Sequence, residues 1–391
     1  MESVKGFKDY TGEEATKRAE IMKILMDVFE RYNFEPAETP VVEYEEFVKG
    51  ENSSDEAVSD IFKLEDKGSR KLALRYEFTF QLKRIAKGKK LPYKRYQIGP
   101  VFRDEPVTGN RFRQFIQCDI DTIGSTVKDE AEVLAVVNEI FKKIGIKTII
   151  NINSRKLLNE ILEKEKMPEK NKNQILREID KLDKLPENEV KNNLKKLKAE
   201  KILDILRNKE AFFEKYESYS EIKKLKKYCR YYNIKVNFQP SLVRGLSYYT
   251  KTVFEVKTEK IKETICGGGT YLIEGIESTG ISFGLDRIEP LANLKQKKQT
   301  CLIVSINQDE KAISLSNWLR KDNIPCTIFY NKVSKALEFA NSKKIPYAVI
   351  IGEKEVKSKK YTLRDMKTGK EEKIVERKLV NKLSQCKGIA Y

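Results

Sequence analysis

The 391-residue chain contains no histidine. That single absence excludes a Ser-His-Asp triad, a histidine general base and any histidine-ligated metal. Cysteine is sparse and scattered: Cys118, Cys229, Cys266, Cys301, Cys326 and Cys386 form no CxxC pair, so neither a zinc site nor a disulfide framework is expected, and a reducing cytoplasm fits. No apolar run approaches the roughly 20 residues of a membrane span. The opening Met1-Glu2-Ser3-Val4-Lys5 lacks the apolar core of a signal peptide. These absences together predict a soluble intracellular protein of two or three domains. Its chemistry must work by positioning and charge. Phosphoryl and nucleotidyl transfer suit that constraint, because the substrate's own oxygen is the nucleophile.

What is abundant is positive charge, with a formal net charge of +18. A polyanionic partner such as nucleic acid is one reading; lysine-rich codon usage is the other. The stretch Lys94 to Ser125 is richest in chemistry. Residues two apart in a strand share a face, which pairs Arg103 with Glu105, Arg111 with Arg113, and aligns Gln117, Asp119 and Asp121. Pro106-Val107-Thr108-Gly109-Asn110 between them reads as a turn. The prediction is a long antiparallel hairpin forming a cradle for nucleotide and substrate.

Elsewhere, helical spacing covers 11–32, an extended segment punctuated by Pro36 and Pro40 follows, and Lys71 to Gln81 alternates as a strand with Arg75, Glu77 and Thr79 on one face. A helix over Asp129–Lys143 and a strand over Lys147–Asn153 come next. From 154 to 232 glycine disappears and charged, leucine-rich helical patterns take over. That segment reads as an insertion whose clusters Lys195, Lys196, Lys198 and Lys223, Lys224, Lys226, Lys227 either touch phosphates or form solvated helix faces. Strand character resumes at Lys235. Around 292–300 lies a polar linker, and beyond it a β-α-β-α-β order, a hairpin turning at Thr368-Gly369 and a closing helix form a small α/β unit.

The segment from Phe102 to Asp121 resembles motif 2 of class II aminoacyl-tRNA synthetases, and the helix followed by a proline-ended extended segment resembles their dimer-forming motif 1. Gly284-Leu285-Asp286-Arg287 resembles motif 3. Arg244-Gly245-Leu246-Ser247-Tyr248-Tyr249-Thr250 resembles one subclass, the histidyl-tRNA synthetases, as does Cys266-Gly267-Gly268-Gly269-Thr270-Tyr271. The terminal unit, with Ile350-Ile351-Gly352-Glu353-Lys354-Glu355, resembles the anticodon-binding domain of the histidyl, threonyl, prolyl and glycyl enzymes.

The resemblance implies an α+β fold: the class II antiparallel sheet flanked by helices, with a helical insertion and an anticodon-binding domain. It divides the chain into catalytic parts 1–153 and 233–292, an insertion over 154–232 and an anticodon-binding domain over 300–391. It implies a cytoplasmic homodimer acting on ATP with Mg²⁺, L-histidine and tRNA(His); protein ligands for the metal stay open. Arg103 and Arg244 would be catalytic, with Arg103 bridging the α-phosphate and the attacking carboxylate. Glu105 would meet the adenine amino group, Phe115 would stack on the ring, and Arg111, Arg113 and Arg287 would hold phosphates. Glu77, Thr79 and Gln117 would hold the α-ammonium, and Asp121, Tyr248, Tyr249 and Tyr271 would surround the imidazole. Departures from the family pattern are Ser247 for aspartate, Thr270 for arginine, Leu272 for aspartate and Lys251 where glycine is common. A synthetase-like regulatory subunit of ATP phosphoribosyltransferase, or another class II synthetase, is the rival reading.

Overall fold

The long first helix, Gly12–Arg31, follows from its sequence: Glu13 and Glu14 sit where the helix dipole favours anions, and Ile21, Leu25, Val28 and Phe29 repeat at helical spacing and are fully buried. The chain reverses at Asn33, whose φ is +60°. This architecture comes from a computed structural model that describes residues 2–50, 58, 60–107, 111–244, 248–294, 301–330 and 332–385. Residues 108–110 of the expected turn, 245–247 of the Arg244 run, most of the linker and Cys386 lie outside the described residues.

Two compact units divide between Leu294 and Lys295. The first is built on an eight-stranded sheet. In spatial order its strands are Glu35–Pro36, Tyr93–Phe102, Gln114–Ile123, Ile276–Gly284, Ile261–Ile273, Tyr249–Thr258, Ile149–Ser154 and Asn237–Phe238. All neighbours are antiparallel except the outermost pair on each side. The central hairpin runs in register from Phe102 opposite Gln114 to Tyr93 opposite Ile123. Helix Val127–Lys143, opened by a capping box between Thr126 and Asp129, buries Val133, Leu134, Val137, Ile140 and Phe141 in the same core as the first helix. A small sheet of Val42–Tyr44, Lys71–Leu74 and Lys63–Glu65 stands beside it.

Two elements differ from the sequence reading. The strand beginning at Lys71 stops at Leu74: the Arg75 amide still donates to the Val41 carbonyl, but the Arg75 carbonyl accepts from the Phe102 amide of the main sheet, and its guanidinium holds the carbonyls of Pro100 and Thr39. Glu77 and Thr79 therefore project from an irregular segment rather than from alternate strand positions. The hairpin ladder also ends at Phe102 and restarts at Gln114. The Asp104 amide donates to Asp60 rather than across the hairpin, and Pro106 has no amide to donate. Arg103, Glu105, Arg111 and Arg113 thus stand outside that ladder, with the Arg103 amide donating to the Arg113 carbonyl over 2.8 Å.

Five α-helices fill the 155–231 segment: Arg155–Lys164, Glu169–Asp180, Glu187–Lys196, Lys201–Leu206 and Tyr219–Tyr231. Their apolar faces, including Leu157, Ile175, Leu194, Ile202 and Leu225, join the core of the main sheet. Here Lys223 pairs with Glu214 at 2.8 Å and Lys226 with Glu210 at 2.6 Å, so half of that lysine cluster is already neutralised.

The second unit carries a five-stranded sheet ordered Cys326–Phe329, Cys301–Ser305, Tyr347–Ile351, Lys360–Asp365 and Glu371–Val375, the first three parallel. Alternation along one strand feeds two cores: Cys301 and Ile303 face Leu315, Leu319 and Leu379, while Leu302 and Val304 face Ala336 and Ala340. The Gly352 amide donates to Glu355, whose other oxygen accepts from Thr362. The Gly-Glu-Lys-Glu stretch thus opens helix Glu353–Ser358, which the sequence patterns do not predict.

Candidate active site

Four arginines converge at one end of the site. Arg287, most of it buried, has its guanidinium pKa lowered first by burial and then by the charges of Arg111, Arg103 and Arg244. Like charges gathered this closely, and only partly offset by Glu105 and Glu255, cost energy in the free protein and favour a multivalent anion. Each is held separately. Arg103 donates to the Tyr76 carbonyl at 3.2 Å and lies over the Phe115 ring at 5.1 Å. Arg111 reaches Glu105 at 3.4 Å, and Arg113 reaches Asp104 at 3.2 Å. Arg287 donates to the Thr264 carbonyl at 2.9 Å. Its neighbour Asp286 accepts from Arg18 and from the Ile116 amide, both at 2.9 Å. That carboxylate ties the short Leu285–Ile288 helix to the hairpin's return strand.

Arg244 adopts a φ of +67°, the left-handed region that a residue with a side chain occupies at a cost. Its guanidinium pairs with Glu255 at 3.4 Å, and Glu255 also accepts from Thr264 and meets Lys257 at 3.2 Å. Burial works against the arginine's charge, yet Tyr249, Glu255 and Asp180 hold it ionised. Gly267 makes the room: a Cβ there would stand 2.5 Å from the Arg244 Cζ.

Carboxylates gather at the opposite end. Glu77, Asp119 and Asp121 are each 4–6% exposed. Burial, reinforced by the charge of Asp119, pushes Glu77 up to about 7. Burial likewise raises Asp119 to about 7, with Arg95 opposing and Asp121 adding to it. Gln117 donates to Asp119 at 2.9 Å. Asp121 pairs with the fully buried Arg95 at 2.8 Å and accepts the Tyr271 hydroxyl. A Cβ on Gly280 would sit 2.0 Å from that carboxylate. The Tyr248 ring lies 4.7 Å from Tyr249 and 5.6 Å from Tyr271. Glu77, Thr79, Tyr248 and Tyr271 line one cavity of about 180 Å³. A cavity of about 620 Å³ lies instead in the insertion, among Lys223, Lys224, Lys227 and Arg230.

The geometry therefore sets a cluster of buried acids, with Glu77 on the wall of a small cavity, beside a group of arginines. Asp119, Arg95 and Glu255 were not singled out as site residues by the sequence reading. Asp119 was visible on the same strand face as Gln117, whereas Arg95 and Glu255 carry no motif signal of their own. The departures are accommodated: Thr270 donates to the buried Glu130 at 2.8 Å and bonds Thr252 at 2.9 Å, Lys251 pairs with Glu277, and Leu272 is half exposed.

The sequence profile of the Histidyl-tRNA synthetase family matches residues 6–288, and the Anticodon binding domain profile matches residues 300–385. The chain belongs to the histidyl-tRNA synthetase family. It is 34% identical to a Bacillus cereus protein named histidine–tRNA ligase 1, covering 96% of this chain and 97% of that one. It is 32% identical to the histidine–tRNA ligase of Wolinella succinogenes, over 94% of each chain. Histidyl-tRNA synthetase from Nostoc sp. PCC 7120 superposes with a TM-score of 0.87 at 25% identity, covering 98% of this chain and 99% of that one. A Bacillus halodurans protein described as an ATP phosphoribosyltransferase regulatory subunit/histidyl-tRNA synthetase shares the fold, with a TM-score of 0.74 at 22% identity over 86% of this chain and 96% of that one. The family's α+β architecture and ligase class apply to this chain: it is a class II aminoacyl-tRNA synthetase.

The two raised carboxyl groups make a pH-linked prediction. An ammonium ion entering beside Glu77 and Asp119 favours their ionised forms, so their pKa values fall and protons leave. Histidine binding at pH 7 is expected to release about one proton, since two groups near half protonation each shed part of theirs. Titration calorimetry in two buffers of different ionisation enthalpy measures this; identical heats would place the ammonium elsewhere.

Proposed function

We propose that this synthetase joins histidine to ATP as histidyl-adenylate and then passes the histidyl group to the 3′ end of tRNA(His), with its own residues in the following roles. The observation that carries the assignment is the opposition of the buried acids to the four converging arginines. Glu77, Asp119, Gln117 and Thr79 hold the α-ammonium, since a buried cation needs paired charge and hydrogen bonds. Asp121 and Tyr271 act as one hydrogen-bonded unit, with Tyr248 and Tyr249, around the imidazole. The amino acid's carboxylate then points to the arginines.

Its oxygen attacks the α-phosphorus and pyrophosphate departs. Histidine is never needed as a base, because the nucleophile is already a carboxylate. Arg103 and Arg244 stabilise charge on the α-phosphoryl oxygens as it develops. Arg111, Arg113 and Arg287 take the outer phosphates, Phe115 stacks on adenine and Glu105 accepts from its amino group. Among the described residues no three acidic, cysteine or histidine side chains converge to cage a metal. Magnesium bound with ATP would add positive charge against the phosphates. In the second step the ribose hydroxyl of the tRNA attacks the activated carbonyl and AMP leaves.

Residues 300–391 would recognise the anticodon, with Lys354, Lys357, Lys359 and Lys360 supplying salt-sensitive phosphate attraction. A homodimer and a cytoplasmic location complete the reading; no described helix is long and apolar enough to cross a membrane. A chain ending at Leu294 tests the division of labour. Histidine-dependent ATP–pyrophosphate exchange is expected to survive and tRNA charging to fall by at least about tenfold, the loss of roughly 1.4 kcal/mol of tRNA binding. Unchanged charging, or exchange lost because sedimentation shows a dissociated protein, would count against anticodon recognition as the main role of the second unit.

A further inference from the structure

In the second unit two cysteines face one another. Cys326 opens the edge strand Cys326–Phe329, Cys301 opens its parallel neighbour Cys301–Ser305, and the two are register partners. Register partners on parallel strands project to the same face, and adjacent strands run about 4.8 Å apart. That spacing falls within the roughly 4.4–6.8 Å between Cα atoms that a disulfide spans. Both side chains enter the same apolar cluster and are not linked, and the Cys326 thiol donates to the Ser316 carbonyl at 3.7 Å. Cys301 is fully buried, whereas Cys326, on the sheet edge, is 9% exposed. Arg320 donates to the Cys326 carbonyl at 3.3 Å and brings its charge to the thiol.

We propose that Cys301 and Cys326 are a reversible, peroxide-responsive dithiol, in which Cys326 reacts first and Cys301 resolves it to a disulfide. The Cys326 thiolate attacks one oxygen of hydrogen peroxide, the O–O bond breaks and hydroxide leaves, taking a proton to become water. The resulting sulfenic acid is then attacked at sulfur by Cys301: the S–S bond forms, the S–O bond breaks and a second water departs. Two thiols lose two electrons and two protons, and one peroxide becomes two waters. A thiol donor to either product reverses the change.

The thiols' surroundings favour this order. The neighbouring Cys301 thiol, with the charge of Arg320, brings Cys326 down to about 7. Cys301 is pushed up by the neighbouring Cys326 thiol and by burial. Burial pushes Cys118 and Cys266 far up and Cys229 up to about 12. The thiolate is the reactive species, so among the described cysteines oxidation starts at the one beside a resolving partner.

The test uses the full-length reduced protein exposed to hydrogen peroxide, alkylated, digested and read by mass spectrometry. Expected is a cross-linked peptide joining residues 301 and 326, with both thiols recovered on treatment with dithiothreitol. In Cys301→Ser, Cys326 is expected to accumulate as a sulfenic acid that dimedone traps; in Cys326→Ser, Cys301 stays alkylatable. The proposal is overturned if Cys301 and Cys326 stay free while other thiols oxidise. It is equally overturned if native Cys326 reaches sulfenic acid without consuming Cys301, or if Cys301 oxidises in Cys326→Ser.

Discussion

Replacing Arg244 by alanine is expected to slow histidyl-adenylate formation by roughly 10²–10³-fold, the loss typical when one preorganised charge or donor at a developing anion is removed. The arginine is prepared for that task before any substrate arrives. Its backbone is held at a φ of +67°, Glu255 pairs with it at 3.4 Å, and Gly267 yields the space its guanidinium occupies. The proposed reading gives the α-ammonium and the imidazole to other residues, so the histidine KM should move little while kcat falls. Such a split marks an interaction made chiefly in the transition state. Gly267→Ala places a Cβ 2.5 Å from the Arg244 Cζ and should lose activity in the same direction with every charged group still present. Single-turnover adenylation, with circular dichroism to confirm folding, reads both variants. A loss below tenfold for Arg244→Ala would make the arginine structural.

The largest effect expected is discrimination between histidine and phenylalanine, about 10⁴–10⁵ in kcat/KM. A site built to hydrogen-bond a polar ring leaves buried groups unpaired when an apolar ring replaces it. Here those groups are costly to strand. Asp121 is 4% exposed, its Oδ2 is ion-paired with Arg95 at 2.8 Å and its other oxygen accepts the Tyr271 hydroxyl, so a charged acceptor is held in place inside the protein. Burial holds the Tyr248 and Tyr271 phenols far above their ordinary range, so both remain neutral. Phenylalanine offers these groups nothing. Exchange driven by phenylalanine within a hundredfold of histidine would mean that ring size, rather than hydrogen bonding, selects the substrate.

The fold was legible wherever local pattern and packing agree. Ile21, Leu25 and Val28 repeat at helical spacing, and the Cys301–Ser305 strand alternates between two cores; both are period arguments that need no partner. The irregular segment after Leu74 was not legible, because Arg75 bonds, through backbone and side chain, to groups distant in sequence. The end of the hairpin ladder at Phe102 escaped for a similar reason: the Asp104 amide finds Asp60, which no sequence period foretells. In the site, the resemblance to the class II and histidyl motifs picked out Glu77, Gln117, Asp121, Arg103, Arg244 and Arg287, and the fold brings them into two neighbouring clusters. Arg95 was invisible because its role depends on standing opposite Asp121 in the hairpin register, and Glu255 because it matters only through Arg244.

The central claim is that this chain activates histidine, and ATP–pyrophosphate exchange across the twenty amino acids tests it most directly. Histidine alone should support exchange, at a rate that depends on Arg244. Exchange with proline or threonine in its place, or none from correctly folded full-length protein, would contradict the account.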